Sequence, residues 1–151
     1  LQIVIPFSSA GVVDGWLDNV TFDWSVLLLE GTTKRLLMHR SVTYLDVENE
    51  RRDHYAAVWI RPRTLRRYYG ETRRVSPRNI LVHVAVKVDN VKVREQQFPA
   101  DASKTGAPAR WWSIDDPKVV TVVNRMLLMR PETPFAALND DFWEVVKSDQ
   151  R

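Results

Sequence analysis

The sequence has 151 residues, 44% apolar and 10% aromatic, with a net charge of +3 and no cysteine. A chain of this size buries about two-thirds of its surface on folding, so whole-chain disorder is excluded. Without cysteine neither a disulfide framework nor a zinc knuckle can form, and none of the five glycines stands in a G-x-G-x-x-G or P-loop arrangement.

The chain opens at Leu1. It reads as a mature or trimmed chain whose leader is gone, and no run approaches the roughly 20 apolar residues of a membrane helix. A soluble, exported protein is expected. Leu1–Phe7 predicts a short strand, placed at an edge because Pro6 cannot donate to a ladder. From Val20 the pattern turns regular: Val20, Phe22, Trp24, Val26 and Leu28 alternate with Thr21, Asp23 and Ser25. One apolar and one polar face suit a half-exposed antiparallel sheet. A turn at Gly31–Thr33 leads to a second strand over Leu36–Val47, with Met38, Val42 and Tyr44 on one face. Arg40 interrupts that face, which predicts local contact with solvent.

Tyr55–Ile60 predicts another strand. Pro62 then suits a first helical position and Gly70 a helix end, so Thr64–Tyr69 predicts a helical turn with Leu65 and Tyr69 on one side. The clearest stretch comes next. Ile80, Val82, Val84, Val86 and Val88 share one face of a strand, and Val91 and Val93 resume after Asp89-Asn90, a pair suited to a tight hairpin turn. Residues 99–112 read as a long loop, with Trp111 and Trp112 anchoring it to the sheet.

The tail predicts helices. Asp115-Asp116-Pro117 has the form of a helix start, and Val119, Val122, Val123, Met126 and Leu127 recur at helical spacing. The β-branched run Val119–Val123 opposes this by about 2–3 kcal/mol relative to alanine. Thr133-Pro134 repeats the start signal, with Phe135, Leu138, Phe142, Val145 and Val146 along one side of a short final helix. Residues 115–147 are therefore expected to form a helical tail.

Catalytic chemistry finds little support. His39 and His83 lie in predicted strands, His54 lies beside one, and no G-x-S-x-G elbow exposes a serine. Metal-ligand spacings are absent, and Asp140-Asp141 are adjacent, which is poor geometry for a glycosidase pair. No catalytic residue, metal or cofactor is predicted. One segment has functional colour. Arg61, Arg63, Arg66, Arg67, Arg73, Arg74 and Arg78 stand against the single acid Glu71, giving +6 there and −3 on the rest of the chain. With Tyr68 and Tyr69 these arginines form a candidate binding surface, in which guanidinium groups grip phosphate or sulfate and rings stack on bases or sugars. The bland alternative is a solvated cluster neutralised by Glu48, Glu50, Asp53 and Glu71, and a third reading is a protein interface.

Tyr55-Ala-Ala-Val-Trp-Ile-Arg-Pro62, the Ile80–Val88 strand, Arg130-Pro-Glu-Thr-Pro-Phe-Ala-Ala-Leu138 and Asp141-Phe-Trp143 together carry a resemblance. From Val20 onward the chain resembles the pilus-associated immunoglobulin-like proteins of mucin-living gut bacteria. That resemblance implies a secreted or envelope β-sandwich with no catalytic residues. The sequence as a whole predicts one domain, an antiparallel, immunoglobulin-like β-sandwich with a C-terminal helix packed on it. The expected function is a non-catalytic cell-envelope module, secreted or periplasmic, that works through protein partners. The alternative is a domain that binds an acidic glycan or a nucleic acid through Arg61–Arg78.

Overall fold

A computed structural model describes residues 1–9, 15–30, 34–49, 53–70, 75–137 and 143–147. In chain order its elements are β1 (Gln2–Phe7), β2 (Trp16–Glu30), β3 (Lys34–Glu48), β4 (His54–Ile60), helix α1 (Pro62–Tyr69), β5 (Ile80–Val88), β6 (Val91–Phe98), β7 (Thr121–Val122), β8 (Leu127–Leu128) and β9 (Val145–Val146).

The β5–β6 hairpin forms as the alternation predicts. Asp89 and Asn90 take φ of +47° and +67°, the left-handed pair that a two-residue type I′ turn requires. Ile80, Val82, Val84, Val86 and Val88 all face the main core. On the opposite face Lys87 is half-exposed and pairs with Asp23 at 2.6 Å. β5 lies antiparallel to β2, and β2 to β3, so the larger sheet runs β6–β5–β2–β3. The smaller sheet runs β1–β4–β8.

The two sheets share one core. The larger contributes Phe22, Trp24, Val26 and Val84, and the smaller contributes Ala56, Val58 and Ile60. α1 closes part of it with Leu65 and Tyr69. Two satellite clusters lie on the outer faces. Leu27, Leu37 and Leu81 hold Trp111 and Val120 against the larger sheet. Trp59, Ala57 and Leu128 sit under Trp143 on the smaller one. Trp59 is therefore buried, but on the outer face of its sheet. The segment 99–112 is not an open loop: short 3₁₀ turns at Ala102–Thr105 and Trp111–Ser113 pin it down. Arg40 is only half-buried, and its guanidinium reaches Glu132 at 3.1 Å.

The tail corrects the sequence reading. The one α-helix of the described residues is α1, in mid-chain, and the tail holds short strands and turns. Asp116 does act as a cap, accepting from the Lys118 N–H at 2.9 Å, and its carbonyl closes one turn with Val119 and Val120. The β-branched run then prevails. Thr121–Val122 extends into β7 and pairs in parallel with Leu36–Leu37 of β3, because stiff branched side chains suit a strand edge better than a helix. After a left-handed Arg125 (φ +62°), β8 pairs with Trp59–Ile60. Thr133 also caps a single turn, its hydroxyl accepting from the Phe135 N–H at 3.3 Å. Phe135 stays exposed, and Val145–Val146 form β9 against Tyr44–Leu45 instead of a final helix. Leu138 and Phe142 lie outside the described residues.

Ladder phase explains two further details. Leu1 and Ile60 exchange both backbone hydrogen bonds, and bonded pairs recur at every second residue. Gln2, Val4 and Pro6 therefore point their backbone groups away from β4, so Pro6 lacks its N–H on the free edge of β1, as expected. By the same phase the Ala57 N–H points toward β8, which has already ended at Leu128↔Trp59. The Tyr44 hydroxyl of the opposite sheet accepts it at 2.9 Å. Burial pushes the Tyr44 phenol up to about 12, the more so beside the Glu144 charge and in spite of that hydrogen bond. Replacing Tyr44 by Phe strands a buried N–H and should cost about 1–3 kcal/mol. Urea unfolding measures this, and an unchanged midpoint would show that Ala57 finds another acceptor.

Candidate functional site

The predicted helical turn is the spine of the candidate site. Pro62 opens α1, and Gly70 closes it at φ +79° with its N–H bonded to the Arg66 carbonyl at 2.9 Å. Because Leu65, Tyr68 and Tyr69 are spaced i, i+3, i+4, they share a face and pack on the core. Arg63, Arg66 and Arg67 have the same spacing and are exposed.

This charge pattern works against the helix. Like charges at i, i+3 and i, i+4 cost about 0.2–0.5 kcal/mol a pair. Arg66 and Arg67 occupy the last turn, where the helix dipole favours cations, but Arg61 and Arg63 occupy the cap and first turn, where it does not. No acidic residue stands in the first turn to offset them. The cations are retained at a small cost to α1.

Across from α1 runs the turn that links β7 to β8. The two walls enclose a groove of about 900 Å³, with Arg61, Arg63, Arg66 and Arg67 on one side and Arg125 on the other. Thr64 and Met126 join the walls through an O–H···S contact of 3.6 Å. Among the described residues one acid lines the groove, Glu132, and both of its oxygens are engaged. Oε1 binds Arg40 at 3.1 Å, and Oε2 accepts from the Met129 N–H at 2.9 Å. Among the described residues, Arg61, Arg63, Arg66, Arg67 and Arg125 have no ion pair.

The structure thus sorts the predicted surface. Arg61, Arg63, Arg66 and Arg67 line the groove. Arg78 is exposed on the 3₁₀ turn Pro77–Asn79 and does not line it. Arg73 and Arg74 lie outside the described residues, as do Glu50 and Glu71. The rings are not the stacking platforms that the sequence suggested. Tyr69 is buried in the core, and Tyr68 is half-buried beneath the Arg67 guanidinium, 5.5 Å from its centroid. Arg125 was missed because only the fold of the tail brings it to α1.

The histidines are spread apart: His54 and His83 are buried, and His39 is exposed. His54 is buried, with Nδ1 2.5 Å from Glu144. His83 binds Glu95 at 2.8 Å and stacks on Trp112 at 4.1 Å with a 4° tilt. His39 meets the Ser25 hydroxyl at 3.0 Å, the nearest approach to a nucleophile–base pair. Burial lowers the His39 pKa, and among the described residues no carboxylate bonds its ring. No group of three or more metal-ligating side chains occurs among them either.

Comparison with known proteins places this architecture. No curated protein matches the chain significantly. A crystal structure of a protein from Akkermansia muciniphila aligns with a TM-score of 0.76 at 20% identity, covering 98% of this chain and 77% of that one. At that identity the likeness is one of fold: mainly β, with antiparallel sheets. A family model matches residues 2–150, so the chain belongs to the family that this model describes.

Proposed function

We propose that this chain is a non-catalytic structural or interaction module of the bacterial cell envelope, pilus-associated in setting. Its two sheets are read as a single immunoglobulin-like sandwich domain. The observation that carries the reading is the family match over residues 2–150, joined to a fold likeness that spans 98% of the chain. No helix among the described residues is long and apolar enough to cross a membrane. The arginine groove beside α1 is the surface through which it works, since α1 carries its cations at a cost that no acid in its first turn relieves.

Localisation tests this directly. Antibody against the chain should label the surface or periplasm of producing cells and follow pilus fractions after shearing. Recovery with the cytosolic marker would overturn the assignment.

A further inference from the structure

Five guanidinium groups converge on one groove from two separate parts of the chain, and the one carboxylate lining it among the described residues is already bound on both oxygens. We propose that this groove, walled by α1 and the turn at Arg125, binds a sulfated glycan chain. The inference deepens the contact reading above and rests on it for its setting.

Charge alone would suit any polyanion. The lining decides between them. Single-stranded nucleic acid is held by aromatic faces on which bases stack, and this groove offers none: Tyr69 is in the core and Tyr68 is covered by Arg67. Its floor holds Thr64, Met126 and Leu128, which give shape without a stacking surface. Sulfate esters need no stacking. They ask for planar paired donors spaced along a chain, and guanidinium groups supply these. Arg63 and Arg67, one helical turn apart, present two such forks along one wall, and Arg125 presents a third from the other.

The test is a titration of a fluorescent heparin dodecasaccharide at 50 and 200 mM salt, with its desulfated form and a single-stranded DNA of equal charge as comparison arms. Each neutralised anion contributes about −0.7 to −0.9 to the log–log salt slope on nucleic acids, so four contacts on the sulfated chain should give about −3. The variant R63Q/R66Q/R67Q/R125Q should lose at least about 30-fold in affinity, with Tm within a few degrees of the parent because all four side chains are exposed. The variant R78Q/R94Q/R110Q removes three exposed charges outside the groove and should bind within about threefold of the parent. If the fourfold variant is unstable, the pair R67Q/R125Q should still lose about tenfold. Equal loss in both sets would reduce the site to diffuse surface charge. DNA binding as tight as heparin would assign the groove to nucleic acid, and absence of heparin binding at 50 mM salt would end the proposal. None of these outcomes touches the localisation result, so the envelope reading stands or falls separately.

Discussion

Replacing Val84 by aspartate should leave the protein unable to fold. Val84 is 3% exposed, at the centre of β5, opposite Trp24 on β2 and Gln96 on β6. A carboxylate there enters the shared core beside Trp24, with Gln96 as its polar cross-strand neighbour and no cation paired with it, and burying an unpaired charge is among the costliest single changes. A penalty of about 5 kcal/mol would match the entire stability of many domains of this size. Far-UV circular dichroism and a thermal melt would show loss of the cooperative transition. Val93→Asp is the control: Val93 is 57% exposed at the bulge in β6, and its substitution should shift stability by no more than about 0.5 kcal/mol. A soluble, cooperatively melting Val84→Asp protein would show that the β5 face is not core.

Removal of residues 115–151 should be as severe, and for a different reason than a docked helix would give. The tail completes the sheets. β7 and β9 pair with β3, and β8 covers the outer edge of β4. Val120, Leu127, Leu128 and Met129 are all buried, and at about 1.5–3 kcal/mol for each buried side chain their loss far exceeds a typical folding margin. Size-exclusion chromatography of the truncated protein should show aggregation. A stable monomer would mean that the tail is an independent appendage.

Particular residues show how much the sequence disclosed. The β5–β6 hairpin was legible because five branched residues at period two admit one reading, and Asp89-Asn90 names its turn type. α1 was legible from Pro62 and Gly70, although the predicted turn Thr64–Tyr69 starts two residues after the helix does. The tail was misread because a cap followed by proline marks a single turn as readily as a long helix. Asp116 and Thr133 each make that turn and stop. Beyond each turn the path of the chain is decided by the open edges of β3 and β4, which no local pattern announces. Leu27 did carry a warning, since it places an apolar residue on the face of Thr21, Asp23 and Ser25, and it proves to hold Trp111. For the groove, composition supplied four arginines of one wall. The second wall is a product of topology.

Two of the borders of the fold, β1 and β6, have a consequence for assembly. β1 offers its outer N–H groups only at Gln2 and Val4, because Pro6 has none. At the other border, β6 carries a bulge beside Lys87 and Lys92, followed by Arg94 and Glu95. Proline, bulges and charge each make a strand edge a poor template for a further strand. Copies of this molecule would thus resist fusing through β1 or β6 into a continuous cross-molecular ladder. Contacts between copies at these two borders would then be made by side chains, leaving the hydrogen bonds of each copy intact.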